Sequence, residues 1–493
     1  MSGFSVPATD TAHPKNQDDG FEWLSQTSSD EQSAISTFPC DVLSLIFRYT
    51  YDPIPPFDGR YRSPDSTTIS LVQALGLVSK HWYRALMETS EFWTNINMSM
   101  EGTDTSKYAT GLVSFFEKTR YRSLSLSLDF SGLDVDDNIL LDPSADAIIS
   151  KNLERIENLQ LVKPPLAWFC HLHHLNRIDH LSLYQLRANP IHLSFDRIPS
   201  LSKFTLVNSN VRLANSFLGI TSLTLIGVPL DTCFNLVINC PKLKRLHLED
   251  YVTSGQYMLD DNAPISEISA GLQQPLEVII WKIFSTQQYV APWQTALLHH
   301  LNTNSLQTLT WHQPPHWSLQ SPSGQELRIA ISTFFARLSQ RLTCIEFIEN
   351  YDSTWRTETR FIEHMRNDQG VHSLKFSECN TGFIMSIFEK LTDSPTRFPQ
   401  LDTITIGRIV WSNPRNVNVD KRLEEMISER FLEMVKSRLK PMDGRLALCM
   451  EDDSLYRAED GSNSAWLDYI KQDVMELTSC GYQIDIFIAS KLE

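Results

Sequence analysis

Five stretches, IENLQLV (156–162), IDHLSLY (178–184), LSKFTLV (201–207), ITSLTLI (220–226) and LKRLHLE (243–249), share one pattern. Each carries, one residue before its end, an apolar residue, a variable residue and a second apolar residue. In an extended chain alternate residues share a face, so each stretch reads as a short strand that turns two apolar side chains the same way. With the second apolar residue as marker, Leu161, Leu183, Leu206, Leu225 and Leu248 recur at intervals of 22, 23, 19 and 23 residues. So regular a spacing points to stacked units, none of which can bury its apolar face alone.

The interval is the leucine-rich-repeat period. The same pattern stands earlier in SLSLSL (123–128) and continues less regularly in LEVIIWK (276–282), LQTLTWH (306–312), LTCIEFI (342–348), VHSLKFS (371–377) and LDTITIG (401–407). Later markers, Ile280, Trp311, Phe347, Phe376 and Ile406, lie about 30 residues apart, which leaves room for helices on the outer face over 323–340, 358–367 and 381–392. The expected fold class is α/β: an irregular leucine-rich-repeat solenoid of parallel strands with outer helices, tight at first and more helical toward its C-terminus. An ordinary α/β sheet is the alternative. Helix, strand, helix and strand over 421–440, 445–450, 465–480 and 482–489 suit the last units and a terminal cap.

The N-terminal part differs. Residues 1–34 are polar and should be disordered, since they have too little to bury. In STFPCDVLSLIFRYT (36–50), Val42, Leu43, Ile46 and Phe47 fall at i, i+1, i+4 and i+5, an apolar stripe on a helix that opens at Pro39. A proline-rich stretch, 51–68, reads as a loop. A second helical stretch, 69–89, breaks near Ser79 and Lys80, and SEFWTNINM (90–98) offers Phe92, Trp93 and Ile96 to close a small all-α core.

Phe38-Pro39 followed by Val42, Leu43, Ile46 and Phe47 resembles the F-box motif. V-S-K-H-W-Y-R-A-L (78–86) resembles its second half, and E-F-W-T-N-I (91–96) its usual ending in basidiomycete fungal members. Lys80-His81 stand where the family usually has a Cys, and the 51–68 loop is longer than in compact members. The resemblance covers 36–98. It implies a helical domain (35–98) that docks the Skp adaptor of a cullin–RING ubiquitin ligase, while the region 99–493 selects a protein substrate. The adaptor-binding residues it implies are Phe38, Pro39, Val42, Leu43, Ile46, Phe47, Val78 and Trp82, with Trp82 also packing the bundle. The competing reading is a leucine-rich scaffold whose N-terminal helices only cap the array.

The charge balance, 43 basic against 59 acidic residues and a net −16, argues against nucleic-acid or anionic-membrane partners, which reward concentrated Lys and Arg. No secretory signal or membrane-length apolar run is visible, and eight scattered cysteines without a CxxC pair fit a reduced compartment, the cytosol or nucleus. Phosphate-loop, dinucleotide, zinc-protease and nucleophile-elbow motifs are absent, so no catalysis and no cofactor are expected. Cys170, His171, His173 and His174 crowd five residues but lack a second ligand pair, so no metal is expected. The acidic runs at 134–137 and 451–453 read as solvated turns. Trp281, Trp311, Trp317, Trp355 and Trp411 either fill the core of the wider units or serve as binding anchors.

Overall fold

The computed structural model describes residues 38–50, 78–89, 93–101, 106–132, 143–172, 174–186, 191–194, 198–213, 215, 217–250, 274–283, 291–312, 322–348, 361–365, 370–407, 409–410, 417–439, 445–451 and 465–489. The expected tail, the 51–68 loop, Phe92, Trp317, Trp355, Trp411, the 134–137 run and Asp452-Asp453 lie outside these residues.

The protein is a mixed α/β structure built on a 14-stranded parallel sheet. Its strands follow in chain order β1 (Asn95–Glu101), β2 (Leu124–Gly132), β3 (Ile156–Val162), β4 (His180–Tyr184), β5 (Ile191–Leu193), β6 (Lys203–Val207), β7 (Val211–Leu213), β8 (Ser222–Ile226) and β9 (Arg245–Asp250). They continue as β10 (Val278–Ile283), β11 (Thr308–His312), β12 (Cys344–Ile348), β13 (Ser373–Ser377), β14 (Cys379–Asn380), β15 (Thr403–Ile406), β16 (Ile409–Val410), β17 (Arg445–Glu451) and β18 (Gln483–Ala489). Apart from two small side sheets, β5 with β7 and β14 with β16, every strand pairs with the next one in the chain. All eleven repeated patterns become strands of the main sheet, together with β17 and β18.

Register explains why the pattern matters. One row of paired residues runs Met98, Leu128, Leu161, Leu183, Leu206, Leu225, Leu248, Trp281, Trp311, Phe347, Phe376, Ile406, Met450, Ile488 without a break. A second row two residues earlier runs from Ile96 through Phe204 and Ile279 to Ile486. As far as Met450 and Ile486, both rows face the helices and share one continuous core with them. One marker needs correction. Ile280 pairs with His247 on the opposite face, and Trp281 holds the apolar row beside Leu248. In VIIWKI the buried residues are Ile279, Trp281 and Ile283, so the run of three β-branched residues hid the alternation.

The helices become more substantial along the chain. Between β3 and β8 the crossovers carry a four-residue helix (Phe169–Leu172) and the short strands β5 and β7. Later crossovers carry helices such as Pro322–Ala336, Thr381–Asp393 and Val417–Arg438. Aromatic side chains fill the wider gap beneath them. Trp311 stacks on Trp281 at 5.6 Å and meets Phe334 and Phe335 at 5.7 and 5.1 Å, while Phe347 meets Phe376 and Phe383 at 5.8 and 5.5 Å. Trp281 and Trp311 are therefore core residues.

The strands of the tight units exit alike. Lys163, Gln185, Asn208 and Gly227 all have φ between 47° and 59°, and their N–H groups donate to Tyr184, Val207, Ile226 and Glu249 of the next strand. That left-handed turn suits glycine and is tolerated by asparagine. Unit spacing is also tight at Gly219, where a Cβ would lie 2.7 Å from the Leu201 carbonyl oxygen.

A second device ties neighbouring helices. Arg155 donates to the Phe116 carbonyl, Arg337 to the carbonyls of Leu298 and His299 (2.5 and 2.8 Å), and Arg397 to Ile362 (2.6 Å). Each arginine follows one helix and reaches carbonyls at the C-terminal end of the helix before it, where the helix's own N–H donors run out and partial negative charge gathers. Arg438, the last residue of its helix, similarly donates to the Phe398 carbonyl (2.6 Å) in the turn after the preceding helix. Burial pulls all four guanidinium groups below their ordinary value, Arg438 to about 10, and all remain charged at neutral pH. Arg337→Ala is expected to cost on the order of 1–3 kcal/mol in urea unfolding, since two helix carbonyls lose their donor. Arg430→Ala, which removes only exposed ion pairs to Glu389 and Glu433, should leave the midpoint nearly unchanged. Equal effects would refute the role assigned to Arg337.

Candidate functional site

Two surfaces are candidates for partners. The first is the helix pair Cys40–Thr50 and Lys80–Glu88. The break expected near Ser79 is present: Ser79 is extended, and its hydroxyl accepts from the Trp82 N–H at 3.1 Å, capping the second helix. Leu43, Phe47, Ala85, Leu86 and Trp93 form the small core, with Phe47 edge-on to Trp82 at 5.2 Å. Ser44 and Thr89 hydroxyls (2.6 Å) and the Trp93 indole N–H donating to the Leu86 carbonyl (3.2 Å) close it.

This packing divides the eight residues expected to dock an adaptor. Leu43 and Phe47 are fully buried and serve the helix pair itself. Half of the i, i+1, i+4, i+5 stripe is thus used up internally, because two short helices have no other core. Val42, Ile46 and Trp82 are half-buried, while Phe38, Pro39 and Val78 are exposed. The structure adds Leu45 and Tyr83, which are 50% and 45% exposed. Leu45 had a signal in the sequence, since Phe38, Val42 and Leu45 recur at i, i+4 and i+7. Tyr83 had none beyond its place beside Trp82.

Residues 95–98 belong to β1, and Ile96 lies in the core of the sheet. Trp93 joins the two cores: its ring lies 5.9 Å from Phe115, and the Lys118 ammonium sits 4.1 Å over its face. The helix pair is packed on the first unit of the sheet.

The second surface is the face of the sheet opposite the helices. Its rows are polar over much of the array: Ser182, Thr205, Thr224 and His247 in one, His180, Lys203, Ser222 and Arg245 in the next. A cavity of about 250 Å³ opens there, lined by His180, Lys203, Thr205, Thr224, Arg245 and His247 among others. Carboxylates stand around it: Asp179 holds Lys203 at 3.1 Å, and Glu249 holds His247 at 3.0 Å. Burial alone would raise the Asp179 carboxyl, but hydrogen bonds from Ser202 and Lys203 outweigh it and hold the group below its ordinary value. Farther along, Glu346 accepts from Thr310 (3.0 Å) and Ser377 (2.6 Å) and pairs with Lys375 at 3.5 Å. At the C-terminal ends of the strands Val162, Tyr184, Val207 and Ile226 make a separate small apolar cluster.

Other candidates are weaker. Of the Cys170–His174 cluster, His173 is not among the described residues, nothing is described of the Cys170 and His171 side chains, and His174 is exposed. Among the described residues no group of three or more His, Cys, Asp or Glu side chains is placed to hold a metal ion. Cys233, Cys240 and Cys379 are buried core residues, and burial pushes the Cys240 thiol up to about 12. Among the described residues no helix is long and apolar enough to cross a membrane. No protein-family model matches this chain, and no curated protein matches it in sequence.

His180 gives the polar face a pH dependence. Its Nε2 lies 3.0 Å from the Thr205 hydroxyl and 3.1 Å from that of Ser182. Burial, reinforced by the Lys203 charge and partly offset by Asp179, lowers its pKa to about 4. The unfolded ring titrates near 6.5, so between those values the unfolded chain takes a proton that the folded chain refuses. Stability from this residue is fully present above pH 6.5 and declines as the pH falls toward 4. From pH 7 to 5 the loss is on the order of 2 kcal/mol. Urea midpoints at the two pH values should converge by that amount in His180→Gln; an unchanged difference would contradict the buried neutral ring.

Proposed function

We propose that this chain is an F-box-type substrate receptor: the helix pair docks a Skp-type adaptor of a cullin–RING ubiquitin ligase, and a leucine-rich-repeat-like solenoid holds the protein to be modified. The observation that carries the reading is the surface of the helix pair. Phe38, Leu45, Val78 and Tyr83 are 39–53% exposed on, or just before, two helices whose core is already filled. An apolar surface on so small a unit is costly to leave in water and fits helix-in-groove docking. The match of 36–98 to the F-box pattern supports the same reading. Parallel strands added in chain order at near-constant intervals support the repeat-like reading of the sheet.

Under this reading the chain holds no catalytic group or cofactor of its own, and ubiquitin transfer occurs on other subunits. It works by proximity, raising the effective concentration of the target near the transfer machinery. Its setting would be the cytosol or nucleus. Contact with nucleic acid or membrane is not part of the reading.

One observation favours a scaffold with no ligase role. Trp93 and the cation of Lys118 bind the helix pair to the first unit of the sheet, as a capping element would be bound. The two readings differ in what the exposed face does. The double variant Leu45→Asp, Tyr83→Asp should keep its circular dichroism and melting temperature yet capture a co-expressed Skp-type adaptor at least tenfold less. Leu43→Asp should unfold the helix pair, because it places a charge in a closed apolar core. Capture undiminished by the surface variant, or no capture by the unaltered chain, would leave the scaffold reading in place.

A further inference from the structure

The cavity on the polar face has a chemistry of its own. His180, Lys203, Ser222 and Arg245 are register neighbours on β4, β6, β8 and β9, with Ser182, Thr205, Thr224 and His247 in the parallel row. Lys203 and Arg245 are therefore two strands apart, roughly 10 Å between backbones, with the Ser222 hydroxyl between them. No carboxylate lines the cavity. Asp179 pairs with Lys203 at 3.1 Å and Glu249 with His247 at 3.0 Å, and neither carboxylate is a lining residue. Among the described residues Arg245 is paired with no carboxylate. In a chain of net charge −16, an opening lined by Lys203 and Arg245 and by no carboxylate is out of keeping with the rest.

We propose that this cavity is a receptor for a single oxyanion carried by a protein partner, held by Lys203 and Arg245 from the two sides and by the hydroxyls of Thr205, Ser222 and Thr224 from the floor. Donors that converge from three directions can be used together by a tetrahedral phosphomonoester, whereas a planar carboxylate offers two oxygens in one plane. Two cations drawn toward one point repel each other, and a dianion offsets that repulsion more fully than a monoanion. The ring of His180, kept neutral by burial and by Lys203, adds no charge and sets no competing counter-ion requirement. The donors are thus matched to a phosphorylated side chain, with glutamate or aspartate as the weaker source of the same chemistry. The proposal rests on the polar face being the partner-holding surface. It does not depend on adaptor docking.

The test uses the full chain and fluorescent degenerate nonapeptide pools that differ only at the centre: phosphothreonine, glutamate or threonine. Fluorescence polarisation should show binding of the phosphothreonine pool at least tenfold tighter than the threonine pool, weakened by inorganic phosphate and by added salt. Lys203→Ala with Arg245→Gln, both exposed side chains, should remove that preference while circular dichroism is unchanged. Lys151→Ala, on an exposed helix face elsewhere, should leave it intact. A glutamate pool that binds as well as the phosphothreonine pool keeps the oxyanion site but overturns its preference for phosphate. Equal binding of all three pools, or a preference that survives the double variant, overturns the site. Adaptor capture is read on the same variants, and its loss or retention reports on the helix pair alone.

Discussion

Everything in this protein depends on the register of its parallel strands. Two apolar rows pass through all fourteen strands without a break, from Met98 to Ile488 and from Ile96 to Ile486. A buried leucine contributes about 1.5–3 kcal/mol, but only if its neighbours exclude water from both sides. In a single unit that condition fails; each row of the sheet supplies it for the next. A one-residue slip would turn both rows to the polar face, so any departure must be local. The two that occur are register shifts at β1–β2 and β2–β3, in the first units. The arginines that reach across helix ends add direction to the stacking, since each fixes the position of one helix against the end of the element before it.

Register also creates the surface that faces away from the helices. Fixing two rows inward aligns the intervening residues just as strictly on the other side. Histidine, lysine, hydroxyl and arginine side chains from strands far apart in sequence then line one cavity. No short motif could announce it, because its parts are about 20 residues apart and each looks ordinary alone. The spacing that revealed the sheet also predicts which of its polar residues are neighbours, once the strand register is known.

The sheet was legible because period-two alternation and a repeated interval reinforce one another. All eleven patterned stretches became strands. What was missed has physical causes. β1 reads NINMSME and follows an F-box-like ending, so its alternation was credited to the helices before it. In VIIWKI four apolar residues in succession obscured the inward position, which belongs to Trp281. At the helix pair the sequence identifies an apolar stripe but cannot divide it between core and surface. Leu43 and Phe47 go to the core because Ala85, Leu86 and Trp93 meet them there. Leu45 and Tyr83 remain outside.

An apolar helix face at the start of the described chain and the polar face of strands β4 to β9 are thus proposed to carry separate tasks. Hydrogen–deuterium exchange on the full chain, with and without a co-purified Skp-type adaptor, tests that division most directly. The account predicts added protection in 38–50 and 78–89 and none in the strands that line the cavity. Unchanged exchange in those two helices, or protection that falls on β4 to β9 instead, would contradict it.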